Sequence, residues 1–165
     1  MGNATQTEGV SLTAQAPVSG TARRLVIAYA FPPYADTSAI VAAKRVRARG
    51  EHVDLIQNAM DEIRHRDSTA WSIAGHLVHR HSILETRSRF GSWRSIVDFC
   101  EEGMRTLTQW QADGTAYESM YSRAHFLASH VLAATYKMSS PATHWQAEFS
   151  DPLSRNALGE LRRST

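Results

Sequence analysis

The sequence predicts an open α/β fold, in which a parallel sheet carries helices on both of its faces. A continuous apolar run from Leu25 to Ala30 has the composition of a strand that is buried on both sides, as strands of parallel sheets are. A helix-forming segment and a second apolar run follow it within about thirty residues, which is the size of a β–α–β unit. The last third of the chain repeats this alternation of strand and helix, and such alternation implies a parallel sheet.

The first β–α–β unit is the clearest part of the sequence. A proline pair at 32–33 ends the first strand, because proline has no N–H to donate to a neighbouring strand. Residues 36–38, Asp-Thr-Ser, are all favourable N-caps, so the first helix is expected to begin there and to end at Gly50. The next strand is predicted over 53–56, and a right-handed crossover would make the two strands parallel.

The middle of the chain, from residue 58 to residue 89, is less regular. Within it, residues 76–84 fit either the end of a helix or a strand. From Ser92 onward apolar residues recur every three or four positions, which predicts a helix that ends before the turn-forming Asp-Gly pair at 113–114.

The last third begins with a short strand, predicted over 117–121. Ser122 is expected to cap a helix with a stripe of apolar residues three or four positions apart. The members of that stripe are Leu127, Val131, Ala134 and Met138. The final strand is predicted over 145–149. Ligands of open α/β sheets bind at the carboxyl ends of strands, so the segments 31–38 and 150–151 form the candidate site.

Composition excludes several classes of protein. The 18 Lys and Arg residues against 16 Asp and Glu leave a net charge of +2, which disfavours a nucleic-acid binder. The single cysteine, Cys100, excludes an intramolecular disulfide framework and fits a reducing cytoplasm. The chain has neither a signal-peptide pattern nor an apolar run of membrane-spanning length, so we expect a cytoplasmic protein. Residues 1–22 lack periodicity and are expected to be a disordered leader to one domain over 23–165.

Standard nucleotide and hydrolase motifs are absent from the sequence. It contains no G-x-G-x-x-G, no P-loop and no G-x-S-x-G, which disfavours dinucleotide binding, P-loop hydrolysis and an α/β-hydrolase. His76, His79 and His81 are spaced by three and two positions, so they do not share a helical face. They are interpreted as a basic surface segment rather than a metal site. Cys100 lies on an apolar helix face and is interpreted as a small buried hydrophobe.

Several candidate site residues have two interpretations. Residues 36–38 cap a helix, and the same helix start can hold an anion or sugar hydroxyls. Asp151 precedes a proline, which is a common way to open a turn, but it also follows a strand end where a carboxylate would face the cleft. His125 lies nearer the strand ends than His130, which is interpreted as a semi-buried, hydrogen-bonded structural residue.

Two stretches of the sequence resemble the N-terminal domain of GT-B glycosyltransferases of the family 4 type. The first contains V-I-A-Y-A-F-P-P at 26–33, D-T-S-A at 36–39 and G-E-H-V-D-L-I at 50–56. That family opens with a strand, an F-P-P loop, a helix of small residues and a G-x-x-V-D-V strand. The second stretch is W-Q-A-E-F-S-D-P-L at 145–153, and the family's domain ends on a W-x-A-E-F-x-D-P strand.

The resemblance implies a Rossmann-like domain that binds the acceptor and forms one half of a GT-B fold. A C-terminal domain or subunit would bind the nucleotide-sugar donor, and the active site would be the cleft between them. Asp151 is the candidate catalytic residue, which would orient or deprotonate the acceptor hydroxyl. The candidate cleft residues are Phe31, Pro33, Asp36, Thr37, Ser38, Ser122, His125 and Ser150. No metal ligand and no cofactor are expected in this half.

The sequence departs from the family pattern in two places. The F-P-P loop lacks the glycine pair that lets a phosphate approach the backbone closely, and the chain stops at Thr165 without a donor domain. We therefore expect half of a glycosyltransferase that is inactive alone, either a truncated product or a chain that pairs with a separate donor half.

The expected reaction is transfer of a sugar from a nucleotide-sugar to a polysaccharide or glycolipid precursor of the cell envelope. A lipid-linked acceptor leaves room for peripheral contact with a membrane, and nucleic acid is not an expected partner. The alternative is a non-catalytic Rossmann-like module that binds a partner protein. A flavodoxin-like receiver or flavin carrier is weaker, because receivers need an acidic pair after the first strand and this chain has Phe31-Pro32-Pro33 there.

Overall fold

The computed structural model describes residues 22–89, 92–124 and 126–150. Its strands are β1 (Arg24–Ala28), β2 (Val53–Asn58), β3 (Val78–Leu84), β4 (Ser119–Ala124) and β5 (His144–Phe149). Its helices are α1 (Thr37–Arg49), α2 (Ser68–Trp71), α3 (Trp93–Ala112) and α4 (Ala128–Ser139). All the described strand pairs are parallel and the sheet order is β3-β2-β1-β4-β5, which confirms the predicted open α/β class.

The central strand β1 contributes to apolar cores on both faces of the sheet. Leu25 and Ile27 pack on the side covered by α3 and α4, whereas Val26 and Ala28 pack on the side covered by α1 and α2. All five residues of β1 are buried, as a continuous apolar run in a parallel sheet requires.

Helix α1 begins and ends where the sequence predicts. The Asp36 carboxylate accepts hydrogen bonds from the backbone N–H groups of Ser38 and Ala39, at 2.8 and 3.3 Å. Gly50 follows the helix with a φ of +69°, a left-handed conformation that glycine adopts without steric cost.

The predicted role of Ser122 as a helix cap is wrong. Strand β4 continues through Ser122 to Ala124, and α4 begins only at Ala128 after Leu127, which supplies no side-chain cap. The Ser122 hydroxyl is instead buried in the sheet, where it is hydrogen-bonded to the His130 ring and to the Trp145 indole.

The predicted apolar stripe of α4 lies on the wrong face of the helix. Met138 is 84% exposed and Leu127 is also exposed, whereas half of the residues on the buried face have small side chains. The buried residues are Ala128, Ser129, His130, Leu132, Ala133 and Tyr136. Small residues let the helix lie close to its neighbours, and Leu132 packs so closely on Gly103 of α3 that an added Cβ would meet it at 2.3 Å.

The ambiguous segment 76–84 forms the edge strand β3, after a 3₁₀ turn over Gly75–Leu77. Two of its polar side chains, those of His79 and Arg80, contact Asp54, a buried carboxylate in the neighbouring strand β2. Asp54 accepts from Arg80 Nε and Nη2 at 2.9 and 2.6 Å and from the Tyr117 hydroxyl at 2.6 Å.

The side chains of His79 and His81 contact different neighbours in the fold. His79 Nδ1 lies 3.1 Å from Asp54, whereas the His81 ring stacks on Trp71 with centroids 5.1 Å apart. Within residues 22–89, 92–124 and 126–150, no group of three or more metal-binding side chains converges. None of the helices in those ranges is long and apolar enough to cross a bilayer.

Candidate functional site

The sheet order makes the space between the carboxyl ends of β1 and β4 the expected ligand crevice. From β1 the chain passes through α1 on one face to β2, and from β4 it passes through α4 on the other face to β5. The helices that leave these two adjacent strands therefore diverge, and such a switch point is where open α/β sheets bind ligands.

The segment that forms the α1 side of the crevice is tied to the segment after β2. The Ala35 N–H donates to the His65 carbonyl at 3.0 Å, and the Asp67 N–H donates to the Pro33 carbonyl at 2.6 Å. The Asp36 carboxylate, besides capping α1, accepts from Arg64 Nε at 2.8 Å. These bonds attach the segment before α1 and the first residue of its cap to residues 64–67.

A charged network joins α1 to the ends of β4 and β5. Arg123 Nε donates to Ser38 Oγ at 3.1 Å, and Arg123 Nη1 forms a short ion pair with the Glu148 carboxylate. Glu148 also accepts from the Tyr121 hydroxyl at 2.7 Å and from Arg45 Nε at 3.2 Å. Arg123 and Ser38 are both buried, so the network is a fixed wall of the crevice.

Electrostatics keep Glu148 ionised within this wall. Burial alone would raise its pKa, but the hydrogen bonds from Tyr121 and Arg45 and the charge of Arg123 outweigh burial and lower the pKa. The Tyr121 hydroxyl shows the reverse effect, because burial and the adjacent Glu148 carboxylate raise its pKa.

On the opposite face of the sheet, Ser122 and His130 form a buried pair. Ser122 Oγ accepts from Trp145 Nε1 at 2.8 Å and lies 2.8 Å from His130 Nδ1. The hydroxyl can either accept from Nδ1–H or donate to Nδ1, depending on the tautomer of the ring. Burial lowers the pKa of His130, which keeps the ring neutral at pH 7. The ring is a hydrogen-bonded structural residue, as the sequence predicts.

The structure separates the predicted cleft residues into two groups. Thr37 is exposed and Pro33 is half-buried, whereas the Asp36 carboxylate is only 6% exposed and Ser38 is buried. Phe31 and Ser122 have no accessible surface. Phe31 packs against Trp71 with ring centroids 6.3 Å apart, and Ser122 is covered on the other face of the sheet.

The strand end at Ser150 lies beside the end of β4. Its backbone N–H donates to the Ala124 carbonyl at 3.3 Å, and its hydroxyl makes a further short hydrogen bond to the same carbonyl. His125 and Asp151 lie outside the described residues, and their roles stay predictions.

Sequence reasoning missed the two residues at the centre of the charged network. Arg123 and Glu148 are direct neighbours across the β4–β5 register. The signal was a pair of opposite charges near the ends of two successive strands. Recognising this pair required the correct end of β4, but the sequence predicts that this strand ends at residue 121, three residues too early.

Exposed apolar side chains surround the carboxyl edge of the sheet, and we call them the apolar rim. Trp93 at the start of α3 is 67% exposed and Phe149 at the end of β5 is 57% exposed. Ile63, in the segment after β2, and Leu127, just before α4, are exposed as well. Met138 is the remaining exposed large hydrophobic residue of the described ranges and lies at the far end of α4. A contiguous exposed apolar patch marks a surface that contacts another surface, and these side chains are the candidates for one.

The fold is a Rossmann-like parallel α/β domain with a hydrogen-bonded polar wall at the switch point of its sheet and the apolar rim near the same edge. No family model matches the chain, and no curated protein sequence matches it.

Proposed function

We propose that this domain binds the acceptor in a GT-B glycosyltransferase, which transfers a sugar from a nucleotide-sugar to a polysaccharide or glycolipid precursor. The observation that carries the proposal is the combination of a polar crevice at the switch point with an apolar rim around it. The crevice supplies a site for a hydroxyl-bearing ligand, and the rim supplies a surface on which a second domain can close.

The α1 side of the crevice suits a sugar-like acceptor. The Thr37 hydroxyl is exposed at the start of α1, where the positive end of the helix dipole favours oxygen ligands. Behind it, Ser38 and Arg123 are held in one arrangement by their mutual hydrogen bond and by Glu148. Because this polar wall is already ordered, a ligand does not have to order it on binding. A ligand held in one orientation reacts at a higher rate.

The apolar rim suits closure by a donor-binding domain. Burial of Trp93, Phe149, Ile63 and Leu127 against another domain would remove water from the crevice that they surround. Stabilisation of the departing diphosphate would then come from the second domain, and acceptor orientation from this one.

Asp151 is proposed as the residue that orients or deprotonates the acceptor hydroxyl. The support is the sequence and the path of the chain, since Ser150 is anchored to the end of β4 immediately before it. A general base of this kind contributes a factor of about 10² to 10⁴ in turnover.

The test uses the native protein, purified from its own cells with any domain or subunit that accompanies it. Radiolabelled UDP-, GDP- and dTDP-sugars are incubated with envelope lipid and polysaccharide extracts, and label transfer is measured. Asp151→Ala should lower kcat by at least about 100-fold with an unchanged Tm. The matched control is Asp113→Ala, at the amino edge of the sheet, which should leave transfer unchanged.

Two outcomes would count against the proposal. An equal loss of activity and stability in Asp151→Ala would assign that residue to the turn. Failure of every donor, together with a stable protein partner that covers the apolar rim, would support the non-catalytic binding module instead.

A further inference from the structure

Helix α1 presents a basic surface to solvent. None of its 13 residues, Thr37–Arg49, is Asp or Glu. The neighbouring segment 68–77 packs in the same core as α1 and contains no Lys, Arg, Asp or Glu. The charge of these two segments therefore has one sign. The basic residues of α1 lie in the second half of the helix and are all exposed: Lys44, Arg45, Arg47 and Arg49.

The helices on the opposite face of the sheet have no such excess of positive charge. Helix α3 contains two basic and three acidic residues, and both Arg94 and Arg105 pair with carboxylates of the same helix. Helix α4 contains one Lys, Lys137, and no Arg, Asp or Glu. The Lys137 ammonium donates to the carbonyls of Pro141 and Thr143. The two faces of the sheet therefore differ in charge, and the positive excess is on the α1 side.

The carboxylates that flank α1 already face other cations. Glu148 accepts from Arg45 at 3.2 Å and also pairs with Arg123. Glu51, two residues after the helix, lies 3.8 Å from Arg24. The other basic side chains of α1 make no hydrogen bond or ion pair within the ranges 22–89, 92–124 and 126–150, and they are Lys44, Arg47 and Arg49. Their charge is available to an external partner.

The outward side of α1 combines basic and aliphatic side chains. At about 100° per residue, Lys44 points away from the buried side of the helix. Ile40 and Val41, both half-buried, lie one turn before it on the same side, and the exposed Ala48 lies one turn after it. The stems of Lys and Arg extend along apolar surface while their charges stay in water. This combination is typical of helices that lie at the boundary between water and hydrocarbon.

The helix dipole explains part of this charge but not all of it. Arg47 and Arg49 lie in the last turn of α1, where cations favour the negative end of the dipole. Lys44 lies before that turn, so its position has no such explanation.

We propose that the outward side of α1 binds an anionic membrane surface, with the helix axis in the plane of the bilayer. A protein interface is enriched in aromatic residues and depleted in lysine, whereas α1 has no aromatic residue. A nucleic acid is disfavoured by the net charge of +2. A membrane needs only one sign of charge and a few aliphatic contacts, which is what α1 offers.

This orientation has a consequence for the crevice. Helix α1 is about 20 Å long and begins with the exposed Thr37 at the crevice. A helix that lies flat on the bilayer holds the crevice at the level of the lipid headgroups, where a lipid-linked acceptor is presented. This consequence rests on the proposed function, but membrane binding by α1 does not.

The test is sedimentation of the full chain with large unilamellar vesicles. Phosphatidylcholine vesicles that contain about 30 mol% phosphatidylglycerol are compared with vesicles of phosphatidylcholine alone. The chain is expected to bind only the anionic vesicles and to dissociate at about 0.5 M salt, where charges are screened. Lys44→Gln should weaken partition about fivefold, and its combination with Arg47→Gln about 30-fold, at about 1 kcal/mol for each cation.

Arg105→Gln is the matched control, because it removes one exposed cation from the opposite face. It should leave partition unchanged. A fluorescent label gives a second readout in a Cys100→Ser background. Nitrobenzoxadiazole attached at Ala48→Cys should shift to shorter wavelength on anionic vesicles, whereas the same label at the exposed Thr108→Cys of α3 should not.

Several results would overturn the proposal. They are absence of binding to anionic vesicles, equal binding to neutral ones, equal weakening by Lys44→Gln and Arg105→Gln, and a label shift at Thr108→Cys. Binding to polyglutamate or duplex DNA without binding to anionic vesicles would reassign the basic surface to an acidic protein or a nucleic acid. None of these measurements uses a sugar donor, so their failure is distinct from failure of the proposed transferase function.

Discussion

Replacing Asp54 by alanine should destabilise the fold more than any exposed charge does. The carboxylate has no accessible surface and accepts two hydrogen bonds from Arg80 and one from the Tyr117 hydroxyl. Without it, a partly buried guanidinium and a buried phenol lose their shared acceptor. Arg80 also lies over the Trp110 ring, 4.6 Å from its centroid, which limits how far it can move to find another partner.

The expected loss is about 3 kcal/mol of unfolding free energy. Removing one member of a buried ion pair costs about 3–5 kcal/mol, because the other charge is left uncompensated. The Arg80 side chain is 23% exposed and its Nη1 lies 3.7 Å from the Asp113 carboxylate, so water and Asp113 compensate part of its charge and the loss falls at the lower end of that range. Such a loss is a large fraction of the typical stability of a domain.

Urea unfolding followed by tryptophan fluorescence measures this loss. Asp98→Ala is the control, since its partner Arg94 is an exposed neighbour one helical turn away and such pairs contribute about 0.5 kcal/mol or less. The double variant Asp54→Leu with Arg80→Met should recover most of the stability, because it removes both charges. A loss below about 1 kcal/mol in the single variant, or additive losses in the double variant, would refute the argument.

Three further predictions concern packing, a buried amide and pH. In Gly75→Ala the new Cβ would lie 2.2 Å from Trp71 Nε1, so we expect a loss of about 1–3 kcal/mol and a shift in tryptophan emission. Gln57→Met should raise unfolding free energy by about 1 kcal/mol in urea titrations, because neither amide atom of the buried Gln57 has a partner in the described ranges. A decrease in stability would indicate a bound water or ligand. The lowered pKa of Glu148 means that its stabilisation is complete above its ordinary pKa of 4.5 and is lost as pH falls through the folded value. Glu148→Gln should therefore flatten the dependence of unfolding free energy on pH below 4.5, and an unchanged slope would contradict this assignment.

The parts of the fold that the sequence predicts best are those set by local chemistry. Asp36 and Gly50 bound α1 because a carboxylate satisfies free N–H groups and glycine tolerates a positive φ. The first strand is apolar along its whole predicted length, so its burial on both faces was predictable without knowledge of its neighbours.

The parts that the sequence missed depend on contacts between distant segments. Asp54 lies in an otherwise apolar strand, and its partners Arg80 and Tyr117 come from two other parts of the chain. Strand β4 contains Ser122 and Arg123, polar residues that suggest a loop until their partners on α4, α1 and β5 are known. Of the charged network, the sequence therefore predicts Ser38 as a candidate residue and misses Arg123 and Glu148.

The two tied segments beside α1 have a consequence for the thermodynamics of binding. Tyr34 and Arg66 form an isolated antiparallel bridge, and the Tyr34 hydroxyl donates to Asp61 at 2.9 Å. The backbone on this side of the crevice is thus ordered when the protein folds, before any ligand arrives. Ordering a side chain on binding costs about 0.5–1.5 kcal/mol, so a ligand that contacts this wall avoids much of that entropic loss. Ligand association at this wall should therefore have a small conformational-entropy penalty, and any large rearrangement on binding should occur in the surface that closes over the apolar rim.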